Sequence, residues 1–359
     1  MAIPTTTREY FFPEFGTYAN LTLRETPLQP LKSIEVLVKV HAVSLQHRDL
    51  TIAKGGYKAL APLELVPCSD MAGEVIAVGE DVKEWKVGDR VCANFTADHV
   101  HGDLTYDIFR TTHGGLIHGV LTQYKVFQQR VGIFNTLTCT LVRIPEHLSF
   151  EEASTLPCAA VTAYNALWGP VPLKPGDTVL VQGTGGVSIF ALQFAVASGA
   201  TVIATSSSDD KLQNAQKLGA RYLINYKKTP DWDKKVLKVT NGKGADHIIE
   251  VGGAGTLQKS LNAVRYHGWI HLIGVVSGTE GGKDFESTLL QSIRKAVSLR
   301  GIFIGSVAQF ESMTRLLNAN PEATRPVVDK VFAFKDIAKA YAHLESQAHV
   351  GKVVIKVTD

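Results

Sequence analysis

The pattern of hydrophobic and polar positions changes once along the chain. Up to about residue 150, short β-rich runs such as 34–44 (IEVLVKVHAVS) and 73–79 (GEVIAVG) are separated by Gly, Pro and Asp turns. From residue 173 onward, apolar runs typical of buried strands alternate with helical segments such as 211–220 (KLQNAQKLGA). The pattern therefore predicts a mainly β unit followed by an α/β unit.

The second part of the chain contains six strand candidates. The first leads into a glycine-rich stretch at 183, and the others lie at 201–206, 222–226, 245–251, 269–275 and 299–305. Strands that alternate with crossover helices form a doubly wound parallel sheet. After about residue 306 the pattern is mixed again, and the closing run GKVVIKVT predicts a strand that rejoins the β unit.

The stretch VLVQGTGGVS, residues 179–188, is typical of a strand that runs into a phosphate-binding loop. Gly183 would permit the tight turn, and Gly185 would let the backbone approach a pyrophosphate. The N–H groups of Gly186 and Val187, at the start of the next helix, would point toward the anion. A glycine-rich turn without a ligand is the alternative, which the five further strands downstream disfavour.

Composition and charge limit the possible partners and the compartment. With 359 residues and 45% hydrophobic content, the chain can form two globular domains. A formal charge of +3 without basic clusters predicts no nucleic-acid or membrane partner. The N-terminal stretch lacks the pattern of a secretion signal, no apolar run approaches the ~18–20 residues of a membrane span, and the cysteines form no CxxC pair. We therefore expect a cytoplasmic protein whose Cys68, Cys92, Cys139 and Cys158 are unpaired thiols.

Several segments together resemble one known family. They are the glycine-rich stretch already described, DMAGEVIAVGEDVKEWKVGDRV (70–91), LPCAAVTAYNAL (156–167), ADHIIEVGG (245–253), HLIGV (271–275) and GKVVI (351–355). Their order is similar to that of the medium-chain dehydrogenase/reductase superfamily, over nearly the whole chain. The resemblance implies a GroES-like, mainly β catalytic domain formed by 1–159 and 306–359, a Rossmann domain formed by 160–305, and an active site in the cleft between them.

Members of that superfamily divide according to whether they hold a catalytic zinc. By the resemblance, Gln46 stands where zinc enzymes have a ligand Cys, Ser69 where they have His, and Asp70 where they have Glu; only Cys158 matches a ligand position. A catalytic zinc needs three ligands and an open position. The segment around 95–115 also lacks the four closely spaced cysteines of a structural zinc. We therefore expect no zinc, as in the quinone-oxidoreductase-like branch and its alcohol-dehydrogenase-like relatives.

Without a metal, hydrogen-bonding side chains must orient the substrate. The segment SLQHRDL resembles one that lines the cleft beside the nicotinamide in zinc-free relatives, which implies Gln46 as a hydrogen-bonding group and His47 as a proton donor. A packed imidazole facing away from the cleft is the alternative for His47. Arg48 and Asp49 are expected to form an ion pair, and Tyr57 to lie in a loop on the substrate side.

Further contacts to the cofactor follow from the resemblance and from the ligand side of a parallel sheet, where strands end. The candidates are Thr162, Val251, Gly252, Ile273, Gly274, Val275, Ile302, Ile304 and Lys352. For Thr162 the alternative is a hydroxyl that caps a helix, and for the hydrophobic and glycine positions it is an ordinary strand end.

The end of the second strand of the α/β unit bears on which dinucleotide binds. NAD-binding members have an Asp or Glu there, whereas this chain has Ser206 with Ser207 beside it. Hydroxyls can donate to a 2′-phosphate, Lys211 can add charge, and Tyr226 matches a Tyr that zinc-free relatives bring to the same phosphate. The sequence therefore predicts NADPH rather than NADH. A serine-rich turn that caps the next helix is the alternative.

These features predict an NADPH-dependent, zinc-independent oxidoreductase that reduces a carbonyl or an activated double bond of an aldehyde, ketone, enone or quinone. The alternatives are an alcohol dehydrogenase working in the oxidative direction and a noncatalytic, crystallin-like NADPH-binding protein.

The apolar strand 299–305 would lie at a sheet edge, so we also expect a homodimer.

Overall fold

The computed structural model describes residues 3–128, 130–131, 137–138, 140–276 and 285–358. The chain divides into two compact units. Unit 1 comprises residues 1–161, 305–319 and 325–359, and unit 2 comprises 162–304 and 320–324. The domain boundaries expected from the sequence were 159/160 and 305/306. Cys139 lies outside the described residues.

The strands are β1 Thr6–Phe11, β2 Thr22–Pro27, β3 Glu35–Ser44, β4 Asp70–Val78, β5 Arg90–Ala93, β6 Tyr124–Gln128, β7 Arg130–Val131, β8 Leu137–Thr138, β9 Leu141–Arg143, β10 Thr178–Gln182, β11 Thr201–Ser206, β12 Tyr222–Asn225, β13 Ala245–Glu250, β14 Val264–Leu272, β15 Ser298–Gly301, β16 Val328–Ala333 and β17 Lys352–Lys356.

The α-helices are α1 His47–Ala53, α2 Tyr106–Phe109, α3 Phe150–Ala153, α4 Val161–Leu167, α5 Gly186–Ala197, α6 Asp209–Lys217, α7 Trp232–Val239, α8 Leu257–Ala263, α9 Phe285–Lys295, α10 Val307–Ala319 and α11 Ile337–Glu345. A π-helical turn, Leu156–Ala160, precedes α4, and two 3₁₀ turns span Tyr18–Asn20 and Phe334–Asp336. Among the described residues, no helix is long and apolar enough to cross a membrane.

Unit 2 is built on a six-stranded parallel sheet in the order β12-β11-β10-β13-β14-β15. This is the 3-2-1-4-5-6 order of the Rossmann fold, so the predicted doubly wound sheet is confirmed. One face of the sheet contributes Leu180, Ile203, Ile248 and Ile270 to a core cluster that also contains Trp232 of α7. The carboxyl ends of the parallel strands share one edge, where ligands bind in folds of this type.

Two strands of this sheet differ from their predicted spans by more than one residue. β15 ends at Gly301, four residues before the predicted end at 305, and β14 begins at Val264 rather than at 269. Ile304 has a φ of +50°, which a β-branched residue cannot adopt within an extended strand. The start of β14 includes Tyr266, which is 70% exposed, so the apolar pattern of a buried strand is absent there.

Unit 1 is mainly β, with a sheet in the order β16-β17-β3-β4-β5-β9 to which β6 is added along β3. The closing strand β17 pairs antiparallel with β3, which confirms that the C-terminal run rejoins the β unit. β3 has ten residues, most of them buried on both faces of the sheet. Its register with β4 places Ser44 opposite Asp70, so the ends of these two strands meet directly beside Gln46.

Candidate functional site

In unit 1, a fully buried carboxylate, Asp70, joins three segments that are distant in sequence. It accepts hydrogen bonds from the Gln46 side-chain amide, from the Ser69 hydroxyl at 2.6 Å and from the Cys158 backbone N–H at 2.9 Å. Gln46 precedes α1, Asp70 begins β4, and Cys158 lies in the π-helical turn. We call this set the Asp70 cluster. Because Nε2 of Gln46 donates to Asp70, the orientation of the Gln46 carboxamide is fixed.

The electrostatics of the Asp70 cluster follow from burial. Desolvation raises the pKa of Asp70 to about 6, against the opposing effects of the nearby Lys352 charge and of the Ser69 hydrogen bond. Burial also raises the pKa of the Cys158 thiol well above its usual range, so this thiol is protonated at neutral pH. Lys352 is buried too, its pKa is lowered by desolvation, and its ammonium donates to the carbonyl of Leu45.

His47 begins α1, and Tyr57 lies in the turn that follows this helix. His47 is the first residue of that helix and is exposed, so its ring is not packed in the core. Desolvation and the charge of Lys54 lower the pKa of His47. Tyr57 is half-buried and packs against the hydrophobic core of unit 1. Among the residues predicted to contact the substrate, Gln46 is held in the Asp70 cluster, whereas His47 is accessible to solvent.

The expected ion pair between Arg48 and Asp49 is wrong. Arg48 instead donates to the backbone carbonyl of His113 at 2.6 Å, and its guanidinium lies 4.1 Å from the ring centroid of Phe95. Asp49 accepts a 2.7 Å hydrogen bond from the backbone N–H of Gln46. Arg48 and Asp49 face different partners because adjacent residues of a helix point in different directions. Asp49 thus fixes the backbone at Gln46, while Asp70 fixes its side chain.

In unit 2, the glycine-rich loop has the conformation that a phosphate-binding turn requires. Gly183 follows β10 with a φ of +73°, a value that favours glycine, and its N–H donates to the Thr205 carbonyl at 2.8 Å. Gly185 is the N-cap of α5, so the N–H groups of Gly186 and Val187 lie in its first turn. A Cβ atom added at Gly183 or at Gly185 would meet no heavy atom within 4 Å. The loop therefore leaves open space in front of the helix terminus.

The turns after β13 and β14 lie at the same sheet edge as this loop. The N–H of Ile273 donates to the Glu250 carbonyl at 2.9 Å, and that of Val276 donates to the Val251 carbonyl at 3.1 Å. A Cβ at Gly274 would come within 2.9 Å of the Val251 oxygen, so the two turns are in close contact. The structure thus brings together the predicted residues Gly183, Val251, Gly252, Ile273, Gly274 and Val275.

Sequence reasoning missed the side chain that organises this edge. Glu250, fully buried at the end of β13, accepts hydrogen bonds from Gln182 and from the backbone N–H groups of Gly252 and Gly253. The apolar pattern of the run ADHIIEV predicts only a core strand. An acidic residue at the end of a buried strand was the available signal, because a buried carboxylate needs hydrogen-bond donors.

Of the remaining cofactor candidates, Ile302 lies at the same sheet edge, because its N–H donates to the Leu272 carbonyl at 3.0 Å. Ile302 and Ile304 follow β15, and the Ile304 carbonyl accepts a 2.6 Å hydrogen bond from Asn165. Thr162 is buried near the start of α4. Lys352 belongs to unit 1, where it neighbours the Asp70 cluster.

The turn between β11 and α6 contains a helix cap, which was the alternative interpretation of its serines. Ser208, not Ser206 or Ser207, is the N-cap of α6, where its hydroxyl accepts from the Lys211 N–H at 3.5 Å. Ser206 ends β11, and its carbonyl accepts from the Tyr226 N–H at 3.1 Å, which brings these two candidates together. Ser207 and Lys211, the other candidates, belong to the same turn and to the first turn of α6.

Comparison with known proteins gives the family. The family described as alcohol dehydrogenase GroES-like domain matches residues 32–135, and the one described as zinc-binding dehydrogenase matches 186–319. A zinc-type alcohol dehydrogenase-like protein of Schizosaccharomyces pombe is 46% identical over 92% of both chains. The chain belongs to the medium-chain dehydrogenase/reductase superfamily. The human quinone oxidoreductase is 27% identical over 95% of both chains. A solved NAD-dependent alcohol dehydrogenase is 31% identical, with a TM-score of 0.85 over 98% of this chain and 100% of its own.

As a member of this nicotinamide-dependent superfamily, the chain has residues in unit 2 that fit a dinucleotide. The open space in front of Gly183 and Gly185 and the N–H groups at the start of α5 suit a pyrophosphate. Within the part of the chain that the structure describes, the buried hydroxyl of Thr162 has no hydrogen-bond partner. A buried polar group of this kind usually has a partner, which a ligand can supply.

The Asp70 cluster does not fit the catalytic zinc that the second family description suggests. Of the four aligned positions, only Cys158 and Asp70 carry zinc-ligand side chains, and Asp70 already accepts three hydrogen bonds. Among the described residues, no three His, Cys, Asp or Glu side chains form a group that could hold a metal ion. The side chains of this cluster therefore suit hydrogen bonding to a substrate better than coordination of a metal.

Proposed function

We propose that this protein is an NADPH-dependent, zinc-independent oxidoreductase that reduces a carbonyl or an activated carbon–carbon double bond. The observation that carries the proposal is the Asp70 cluster: a carboxamide, Gln46, is held where zinc relatives have a metal ligand. Membership of the superfamily and the open glycine-rich loop support dinucleotide chemistry. The substrate class is an aldehyde, ketone, enone or quinone.

In this proposal, bound NADPH supplies the hydride, and residues of unit 1 orient the substrate. One N–H of the Gln46 amide donates to Asp70, and the side-chain oxygen of Gln46 caps α1 by accepting from the Asp49 backbone, which leaves the second N–H for the substrate. An N–H aimed at the substrate oxygen would stabilise the negative charge that develops there. Asp70 prevents rotation of the amide, so this donor is positioned before the substrate binds.

His47 is the proposed proton donor. It is adjacent to Gln46 in sequence and solvent-accessible, so it can be reprotonated after each turnover. Its lowered pKa makes the protonated ring a stronger acid and leaves a smaller fraction protonated at neutral pH. Proton donation by His47 should therefore be more effective on the acidic side of neutrality.

NADPH is proposed over NADH because of Ser206, Ser207, Lys211 and Tyr226. Ser206 stands where a carboxylate would accept hydrogen bonds from the adenosine ribose, and no acidic side chain takes its place at the end of β11. Tyr226 is 42% exposed and its backbone is hydrogen-bonded to Ser206. The NAD-dependent alcohol dehydrogenase among the relatives makes NADH the alternative cofactor to test.

The deciding experiment is a screen of NADPH and NADH oxidation across aldehydes, ketones, enones and quinones, with and without a chelator, combined with metal analysis. The proposal expects turnover with NADPH that a chelator does not change, and well under one zinc per chain. About one zinc per chain with chelator-sensitive turnover would contradict it. Binding of NADPH without turnover of any compound would favour the noncatalytic alternative.

Alcohol oxidation is the second candidate function, because two relatives carry alcohol dehydrogenase names. The same residues would serve, with the second N–H of Gln46 donating to the substrate oxygen. Running the screen with NADP⁺ and a series of alcohols separates the two directions. Faster oxidation of alcohols than reduction of every carbonyl and enone would replace the first proposal with this one.

A further inference from the structure

Glu250, at the end of β13, is hydrogen-bonded through both of its carboxylate oxygens. Its carboxylate accepts five hydrogen bonds: from Gln182 Nε2 at 2.7 Å, Gly252 N at 2.9 Å, Gly253 N at 3.0 Å, Thr256 Oγ1 at 2.5 Å, and the Ser260 hydroxyl. The side chain is fully buried. All five partners are neutral donors, three of them on Oε1 and two on Oε2, so both carboxylate oxygens are held.

Gln182 extends this network to the phosphate loop. Its Oε1 accepts from the N–H groups of Val251 and Gly252 at 3.3 and 3.4 Å, while its Nε2 donates to Glu250 and, at 2.8 Å, to Ser260. Its own backbone carbonyl accepts a 2.6 Å hydrogen bond from Ser188 of α5. Gln182 is the residue immediately before Gly183, so the network joins the glycine-rich loop directly to the turn after β13.

The turn held by Glu250 has little freedom of its own. Gly253 has a φ of +89°, and a Cβ there would lie 2.9 Å from Val275 Cα. A Cβ at Gly252 would lie 2.2 Å from the Thr256 hydroxyl oxygen. The turn after β14 is hydrogen-bonded to the same backbone, so a displacement of residues 251–253 would also move residues 273–276.

The strand order assigns this turn to one half of a bound dinucleotide. β11, with Ser206 at its end, lies on one side of β10, and β13 and β14 lie on the other. A pyrophosphate on the glycine-rich loop at the end of β10 would therefore direct the adenosine toward β11 and the nicotinamide half toward the turns after β13 and β14.

We propose that Glu250 is a positioning residue, which fixes the turn 251–253 at the distance from the phosphate loop that the nicotinamide half of the cofactor requires. This inference rests on the proposed function, since it assumes that unit 2 binds NADPH. Glu250 itself does not contact the reacting atoms. It acts through the N–H groups of Gly252 and Gly253 and through Gln182.

The test compares the whole dinucleotide with its adenosine half. In Glu250→Gln, the new amide N–H₂ group faces donors in place of an acceptor oxygen, so the turn loses its anchor. We expect a roughly tenfold or larger rise in the NADPH dissociation constant, with the constant for adenosine 2′,5′-bisphosphate unchanged within about twofold. Glu322→Gln, which removes an exposed carboxylate of the same unit, is the matched control and should bind both ligands normally.

A merely structural role predicts a different result. If Glu250→Gln weakens the dinucleotide and the bisphosphate equally, or weakens neither, the positioning role is wrong. Should Glu250→Gln fail to fold, Thr256→Val and Thr256→Ser replace it, because Val removes one of the five donors and Ser retains it. We then expect weaker NADPH binding only in the Val variant; equal binding by both variants would overturn the proposal.

Amide hydrogen exchange of the ligand-free protein separates this inference from the proposed function. The N–H groups of Gly252 and Gly253 should exchange faster in Glu250→Gln or in Thr256→Val than in the native chain. Unchanged exchange at both glycines would overturn the inference whatever the ligand. A native protein that binds neither NADPH nor the bisphosphate would instead overturn the proposed function, and the exchange rates would still decide whether Glu250 holds the turn.

Discussion

At the scale of single residues, Asp70 determines what Gln46 can do. An amide side chain on a surface rotates freely, whereas Gln46 is 8% exposed, with its side chain bound to Asp70 and its backbone to Asp49. Pre-organised donors are more effective than mobile ones because no reorganisation is needed when charge develops on the substrate. The value of Gln46 in this site therefore depends on a carboxylate that is inaccessible to the substrate.

Replacing Gln46 should separate turnover from cofactor binding. In Gln46→Ala, we expect kcat on the best substrate to fall by about a hundredfold to a thousandfold, the range seen when a positioned donor is lost. The NADPH dissociation constant should stay within about twofold, since the phosphate loop belongs to unit 2. The measurement is steady-state kinetics with a direct binding assay, and Gln216→Ala, an exposed position on α6, is the control. Unaltered turnover would remove Gln46 from the site.

The ionisation of Asp70 should make stability depend on pH. Its pKa is raised from 3.8 to about 6 in the folded protein, so between these values the folded state binds more protons than the unfolded state. The free energy of unfolding should consequently fall as pH rises through this window, by roughly 3 kcal/mol in total for this group. The Asp70→Asn variant has no carboxyl group at this position, so its free energy of unfolding lacks this pH dependence.

Denaturant unfolding at pH 4 and pH 7 tests this dependence. The stability of the native protein minus that of Asp70→Asn should be larger at pH 4 than at pH 7, because other groups cancel in the difference. A difference that is constant with pH would show that Asp70 titrates near its ordinary value. The opposite slope would show that its pKa is lowered on folding.

The sequence predicted the members of the Asp70 cluster but not their connections. Gln46, Ser69, Asp70 and Cys158 stand out in the sequence because the resemblance aligns them with metal ligands. That alignment does not show which hydrogen bonds form when Gln46 and Ser69 stand in place of metal ligands. Contacts that join residues 46, 70 and 158 depend on the tertiary fold, which periodicity along the chain does not describe.

At the scale of elements, strands were predicted best where they are buried on both faces. β11 has its predicted bounds, because five of its six residues are buried and turn residues flank it. β14 was predicted five residues too short at its start, where Tyr266 and His267 are exposed and the apolar run is missing. Its partner β13 was predicted correctly as a strand, but a local apolar pattern could not show that Glu250 anchors the following turn.

The junction of β11 and α6 should decide cofactor preference. We expect the native protein to prefer NADPH, and Ser206→Asp to reduce or reverse that preference, because a carboxylate would repel the 2′-phosphate. The measurement is kcat/KM for NADPH and NADH in both proteins. Ser206→Asn has nearly the same shape as the Asp variant without its charge, so it should retain more of the preference for NADPH.

Two results would contradict this interpretation of the junction. Equal kcat/KM values for the two cofactors in the native protein would mean that the serines and Lys211 do not recognise a phosphate. Identical cofactor preference in the Asp and Asn variants would mean that charge at position 206 does not reach the ligand. Because Ser206 is buried, the unfolding midpoint of each variant should be measured alongside.

At the scale of the whole molecule, we propose that the edge of the Rossmann sheet is a site of self-association. β15 is the last strand of its sheet, and Leu299 within it is 37% exposed. Leu289, Leu290 and Ile293 of α9 are also exposed. An open strand edge with apolar neighbours is a template for pairing, and in a closed dimer a twofold axis joins two such edges.

We expect a homodimer at micromolar concentration, measured as a mass near twice 38.9 kDa by sedimentation or light scattering. Leu299→Lys should weaken the dimer by placing a charge at the paired edge. Val331→Lys is the matched control, because Val331 is similarly exposed on β16, the edge strand of the other sheet. A native protein that sediments as a monomer would refute the prediction, and dissociation by Val331→Lys alone would assign the interface to unit 1.

The open space in front of Gly185 indicates that folding does not require glycine at this position, whereas binding of a ligand does. With a φ of −76° and no heavy atom within 4 Å of where a methyl group would lie, this position is one that alanine would occupy without strain in the free protein. A stability screen would therefore score such a variant as nearly normal, because the lower backbone freedom of alanine and its poorer N-capping act in opposite directions. Glycine at 185 is thus explained by ligand binding and not by folding. Only an assay that contains the dinucleotide would detect the effect of replacing it.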